Sequence, residues 1–301
     1  MLAQIPFPEI SPEIFTLPLF GMEFALRWYA LAYIVGIVIA WRVSIRAVST
    51  PALWHGDAPL TKPQLEDLLT WIILGIILGG RLGFVLFYEP AYYLANPSQI
   101  LKVWQGGMAF HGGFLGVVFA SWIWCARNGV SKIAAADTIA LGVPWGLMLG
   151  RLANFINAEL WGRPSDAPWA MKFPSMCHST VIQGCEKAGE WFYTGAEVTR
   201  HPSQLYQATL EGALLGLILL YITFARGALK TRGLVTGVFV LGYGAARFIV
   251  EQFRQADAQF VSPDNPFGHV FLSLTMGQIL SLPMVLIGAA IVLWARRQPK
   301  T

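Results

Sequence analysis

Seven stretches of the chain are apolar over about 20 residues, enough for a helix to cross a hydrocarbon core of roughly 30 Å. They run approximately Phe24–Arg42, Leu68–Tyr88, Gly107–Arg127, Ile133–Asn154, Gln207–Arg226, Leu234–Gln252 and Met276–Trp294. The pattern predicts an all-α polytopic membrane protein of about seven transmembrane helices, one integral membrane domain over residues 1–301. The third and fourth segments carry many glycines and some polar residues, so their ends are the least sharply marked. In the second, Gly75, Gly79 and Gly83 recur at four-residue spacing, a stripe that lets a neighbouring helix approach closely. Between the fourth and fifth segments lies the main polar insertion, residues 159–204, which holds Pro164, Pro168 and Pro174. It exceeds ordinary loop length and predicts a small head domain.

Charge in the connections sets the orientation. With the N-terminus outside, the inner loops and helix ends carry Arg42, Arg46, Lys62, Arg127, Lys132, Arg226, Lys230, Arg232, Arg296, Arg297 and Lys300, eleven of the 21 positive charges. The first outer loop has only Lys102. The positive-inside rule therefore puts the C-terminus in the cytoplasm and the head insertion on the outer side.

Composition agrees: 55% of residues are hydrophobic, 13% are charged, and the mean hydropathy is +0.53. A soluble chain of this length needs more surface charge. The twelve Trp and nine Tyr suit interfacial belts. The first twenty residues carry no Lys or Arg and do not resemble a cleavable signal peptide. No basic stripe with interleaved aromatics points to nucleic acid. Of the three cysteines, Cys125 ends an apolar segment, whereas Cys177 and Cys185 share the head insertion, where a disulfide is possible. Their spacing makes a poor metal site, and no metal is expected.

Four polar clusters fall at the outer ends of the predicted helices. They are Arg27-Trp28-Tyr29, the run Gly106–Gly113 around His111, the stretch Arg151–Arg163, and Tyr243–Arg254. The third packs Arg151, Asn154, Asn157, Glu159 and Arg163 into thirteen residues. Charge at a bilayer edge is costly, and a guanidinium fork is suited to phosphate, so this stretch points to a phospholipid headgroup. In the fourth, Tyr243, Arg247, Glu251 and Arg254 share one helix face that should point inward. A plainer alternative is an ion pair of Glu251 with Arg247 or Arg254 that only ties helices together. His111 suits proton transfer near neutral pH, and its flanking glycines would let a ligand approach. A structural histidine is the plainer alternative there.

These motifs carry a resemblance to the prolipoprotein diacylglyceryl transferase family, spread over essentially the whole chain. Arg27-Trp28-Tyr29, Leu78–Gly83, the glycine run around His111, Arg151–Arg163, His201–Tyr206 and Tyr243–Arg254 all match it. Two departures are mild: Ala153 stands where the family usually has glycine, and Gln207 where glutamate is common.

The resemblance implies transfer of the sn-1,2-diacylglyceryl group of phosphatidylglycerol to the lipobox cysteine thiol of a pre-lipoprotein, with a thioether formed and glycerol phosphate released. It implies a multi-pass protein of the bacterial inner membrane, with phosphatidylglycerol, the pre-lipoprotein signal peptide and the bilayer as partners, and no cofactor. By the same resemblance Arg151 and Arg247 bind the phosphate and His111 is the candidate base for the thiol. A cationic field acting alone on the thiol stays open beside that. Tyr29 and Asn154 would donate hydrogen bonds to the headgroup and Glu159 would orient an arginine. Arg163, Tyr243 and Glu251 complete the candidate substrate-binding set. Two rival readings are a transporter for an anionic lipid, which would show inverted repeats and midplane charges, and a non-catalytic scaffold of the secretion machinery.

Overall fold

The computed structural model describes residues 5–19, 22–177 and 191–298. An antiparallel hairpin opens the chain, β1 (Glu13–Leu19) on β2 (Met22–Arg27), with Glu13 opposite Arg27 and an ion pair between them at 3.1 Å. It delays the start of the first predicted helix, because the backbone stays extended through Arg27. Helix α1 (Trp28–Val48) starts where the Trp28 N–H donates to the Pro12 carbonyl at 3.1 Å. Helix α2 (Lys62–Phe87) begins six residues before the apolar pattern does. There Thr61 and Gln64 form a capping box and Pro63 fills the first turn, satisfying or removing N–H groups that would otherwise lack partners.

Helix α3 (Phe110–Asn128) packs along α2. The glycine stripe works as its spacing predicts: a Cβ on Gly79 or Gly83 would lie 2.8 Å from Gly116 Cα or Gly112 Cα, respectively. The fourth predicted span is broken at Leu141–Gly142 into α4 (Lys132–Ala140) and α5 (Val143–Ile156), with Pro144 in the first turn of the second piece. Helix α6 (Ser203–Ala225) runs in π-helical form over Ala208–Leu214. Helix α7 (Leu234–Val250) and helix α8 (Met276–Arg297) lie side by side. Buried Asp137 of α4 caps α7, accepting from Gly233 N at 2.6 Å, Thr236 N at 2.8 Å and Thr236 Oγ1 at 2.7 Å.

The spans Trp28–Val48, Lys62–Phe87, Lys132–Ile156, Ser203–Ala225 and Met276–Arg297 are long and apolar enough to cross a membrane. Rows of outward side chains such as Leu74, Leu78, Leu82 and Leu86 of α2 are exposed, as suits lipid rather than water. The chain is thus a mostly helical, polytopic membrane protein. One core gathers Leu53, Trp54, Leu65, Trp124, Leu141 and Leu219 at the end of the bundle where α1 finishes. A second, smaller one forms where Phe7 meets Phe155, Phe173 and Trp191, at ring distances of 5.3–5.8 Å. The described parts of the 159–204 insertion pack here. Cys177 is disulfide-bonded and Cys185 lies outside the described residues.

Candidate functional site

Helix α5 ends at the richest polar stretch. Arg151 and Asn154, one turn apart, face the same way, and Arg151 Nη1 donates to Asn154 Oδ1 at 3.3 Å. The chain then reverses through Ala158 and Leu160, both left-handed at φ 50° and 56°, a conformation costly for side chains with a Cβ. That turn brings Glu159 back onto the helix. Its Oε1 accepts from Asn154 Nδ2 at 2.8 Å and from Asn157 Nδ2 at 3.2 Å. The start of α6 pins the turn, with Gln204 Nε2 donating to the Glu159 carbonyl at 2.6 Å and Ser203 Oγ to the Leu160 carbonyl at 3.2 Å. Thus Glu159 orients Arg151 through Asn154.

The opposing wall is the end of α7. Arg247 Nη2 stands 2.9 Å from Glu251 Oε2 one turn on, and Glu251 Oε1 lies 3.8 Å from Arg254 Nη1. Arg254 is held on its outer side by Asp257 at 3.0 Å. Glu251, nearly fully buried, also accepts from Thr275 Oγ1 at 3.3 Å and sits against Gly277, at the positive N-terminal end of α8. The internal ion pair considered for this stripe is therefore present. Arg247 Nη1 also approaches Glu211 Oε1 of α6, at 4.0 Å. Arg151 acts electrostatically on the same Glu211 and on Tyr243, so the two arginines converge there from α5 and α7.

Tyr29 packs against Tyr33, ring centres 5.1 Å apart, and Tyr33 lies within electrostatic range of Arg151 and Glu159. Arg163 works as a clasp: its Nε donates to the Arg254 carbonyl at 2.9 Å, its backbone N–H to the Phe253 carbonyl at 2.8 Å, and its guanidinium lies over the Phe267 ring at 5.1 Å. Burial pulls the Arg163 pKa below the ordinary arginine value, with Glu251 acting in the opposite direction. Arg200 is held likewise over the Trp161 ring at 3.9 Å.

His111 stands apart. It is exposed in the first turn of α3, edge-on to Phe110 at 5.7 Å, and has no hydrogen bond to the arginine cluster among the described residues. Gly112 beside it packs against Gly79 and Gly83, so helix contact accounts for that glycine without a ligand. Arg81 orders the segment before His111. Buried on α2, it donates to the carbonyls of Gln99 and Gly106 at 2.6 Å and Ile100 at 2.7 Å, with longer bonds to Gly107 and Lys102, and covers the Tyr93 ring at 5.0 Å.

Sequence reasoning missed Glu211, Gln204 and Tyr33 as members of the cluster. Glu211 had a signal, a lone carboxylate inside an apolar segment, which calls for an internal partner. Gln204 and Tyr33 had none, because only the turn at Ala158–Leu160 and the α1–α5 packing bring them in. A cavity of about 490 Å³ lined by Trp54, His55, Lys230 and Arg232 lies at the opposite ends of α1 and α7 and contains neither arginine of the pair.

Arg247 is paired directly with Glu251, and Arg151 is linked to Glu159 through Asn154, so the cluster offers two guanidiniums of the kind whose forked donors suit an anion. The prolipoprotein diacylglyceryl transferase family model matches residues 17–294. A phosphatidylglycerol–prolipoprotein diacylglyceryl transferase of Ruegeria pomeroyi is 60% identical, covering 99% of this chain and 100% of the relative. Its namesake in Roseobacter denitrificans is 56% identical over 98% and 99% of the two chains. The one in Rhizobium meliloti is 46% identical over 98% and 94%. Likeness of this extent, over nearly the whole length, places the chain in the prolipoprotein diacylglyceryl transferase family.

Proposed function

We propose that the protein transfers the sn-1,2-diacylglyceryl group of phosphatidylglycerol to the lipobox cysteine of pre-lipoproteins, the first step of lipoprotein maturation. The thiolate attacks the glycerol carbon that bears the phosphate, a C–S bond forms, the C–O bond to phosphate breaks, and glycerol phosphate leaves. The observation that carries this reading is the convergence of Arg151 and Arg247 beside Glu211 and Tyr243. Charge grows on the departing phosphate, and fixed guanidiniums in a water-poor site stabilise it without reorganising.

Asn154, Tyr29 and Tyr243 offer hydrogen bonds to the glycerol headgroup, and Glu159 holds Asn154 and so Arg151 in place. Glu251 holds Arg247, and Arg163 ties the head insertion to the end of α7. His111 takes the proton of the thiol, which must attack as the thiolate. For this the substrate peptide must bridge from α3 to the arginine pair.

Helices α3 and α7, of 19 and 17 residues, cross the bilayer beside the five longer spans, making seven. With the N-terminus outside, the arginine pair and the 159–204 head face the periplasm, where the lipobox thiol emerges. Lipid enters sideways between helices from the inner membrane.

Phosphatidylglycerol labelled in its headgroup tests the reading. Purified enzyme should release water-soluble labelled glycerol phosphate only when a lipobox cysteine peptide is present. Arg247→Ala should slow that release on the order of 10²–10³-fold, the range for loss of one charge-stabilising donor. Release without thiol peptide would indicate a lipase instead.

A further inference from the structure

Glu211 has no part in the chemistry above, yet it occupies the centre of the arginine cluster. It is fully buried, on the π-helical stretch Ala208–Leu214, a distortion often found at functional sites. Arg247 reaches it at 4.0 Å, Arg151 acts on it from α5, Tyr243 and Glu251 act from α7, and the Gln207 amide approaches it from its own helix. Yet both Glu211 oxygens, Arg247 Nη1 and Gln207 Nε2 lack a hydrogen bond of good geometry among the described residues. Buried polar atoms are rarely left so. A carboxylate and a guanidinium facing each other slightly too far apart for a bond leave donors in place for a third, anionic group.

A second carboxylate also changes which anion suits the site. Arg247 already has Glu251 at 2.9 Å, so Glu211 is not needed to hold it. What Glu211 adds is negative charge directly behind the phosphate-binding pair. The substrate diester carries a single negative charge. The departing monoester carries about −1.5 to −2 at neutral pH, because its second pKa is near 6.

We propose that Glu211 is a positioning residue that lowers the positive charge offered by Arg151 and Arg247, so that the site accepts the monoanionic phosphodiester and expels the dianionic glycerol phosphate. The inference rests on the transferase reading above. A cluster of arginines without this counter-charge would hold its product more tightly than its substrate, since the attraction scales with phosphate charge in a low-dielectric site. Glu211 thus favours product release.

The experiment uses the full-length enzyme in detergent with phosphatidylglycerol and a lipobox cysteine peptide. Inhibition constants are measured for glycerol phosphate and for glycerophosphoglycerol, a water-soluble diester of fixed single charge. In Glu211→Gln, glycerol phosphate should inhibit about tenfold more strongly, while the diester should change much less, given the size of one unit-charge interaction at close range. Glu211→Asp should restore the original ratio. A purely structural role would weaken both anions together and leave their ratio unchanged, and that result would overturn the proposal.

The wild-type enzyme supplies an independent reading should Glu211→Gln fail to fold. Between pH 5.5 and 7.5 the monoester gains its second charge, and with Glu211 beside the pair its inhibition relative to the diester should rise by less than about tenfold. A steeper rise would equally overturn the proposal. If no variant, wild type included, transfers lipid to the peptide, the transferase reading itself fails. Transfer with an unmoved ratio removes only the role of Glu211.

Discussion

Three buried or half-buried arginines near one end of the bundle meet the same demand in different ways. A guanidinium offers five N–H groups and keeps its charge, so each donor left without a partner is costly. Arg81 is saturated by backbone carbonyls on the segment before α3, which leaves it structural. Arg247 is held by carboxylates. Arg151 has one side-chain hydrogen bond among the described residues, to Asn154 at 3.3 Å, and so keeps most of its donors uncommitted. His111, the proposed base, is set apart from the arginines. His111→Gln should cost at least about 10²-fold in turnover at pH 7. A pH–rate profile should show that loss recovering as the pH approaches about 8.5, where the substrate thiol ionises unaided. Unchanged turnover at pH 7 would remove His111 from the mechanism.

Among the elements, the α2–α3 pair is the most constrained. Gly75 and Gly79 leave no room for a Cβ on Gly116, whereas a Cβ on Gly146 of α5 meets nothing within 4 Å. Gly116→Ala should therefore destabilise by about 1–3 kcal/mol, as overpacking does. Gly146→Ala should be neutral or slightly stabilising. Thermal unfolding in detergent separates the two, and equal midpoints would mean the helices part without cost. This contact was legible in the sequence because four-residue spacing of glycines has a single geometric meaning on a helix. The apolar segments were legible for the same reason. Their starts were less so, because the β1–β2 hairpin holds Arg27 extended and the Thr61–Gln64 capping box lengthens α2. The site was half legible: Arg151, Asn154 and Glu159 stand close in sequence, and Tyr243, Arg247, Glu251 and Arg254 share a helical period. Glu211 stood out only as a lone carboxylate in an apolar segment, with nothing to name its partner, and Gln204 enters only through tertiary packing, which a linear pattern does not encode.

Across the molecule, the insertion after α5 is fastened to both the N-terminal segment, at Phe7, and the end of α7, through Arg163. His201 lies at this seam, its Nδ1 3.0 Å from the Tyr206 hydroxyl and its ring edge-on to Phe253 at 5.1 Å. Burial holds its pKa below the ordinary imidazole value. The unfolded chain then binds the proton more readily, so stability rises with pH. The His201 contribution is present in full above the unfolded value of about 6.5 and is lost as the pH falls from there through the folded value. Melting midpoints at pH 7.5 and 5.5 should differ more for the wild type than for His201→Gln; equal differences would show that the seam does not sense the proton.

Lipid transfer to a cysteine, directed by the arginine pair, is the reaction to demonstrate. Purified protein incubated with phosphatidylglycerol and a lipobox peptide, followed by mass spectrometry of the peptide, tests it most directly. A diacylglyceryl mass gain is expected on the cysteine, absent with a Cys→Ser peptide and nearly absent with folded Arg151→Ala enzyme. A folded, lipid-binding protein that leaves the peptide mass unchanged, or a gain that survives in Arg151→Ala, would contradict it.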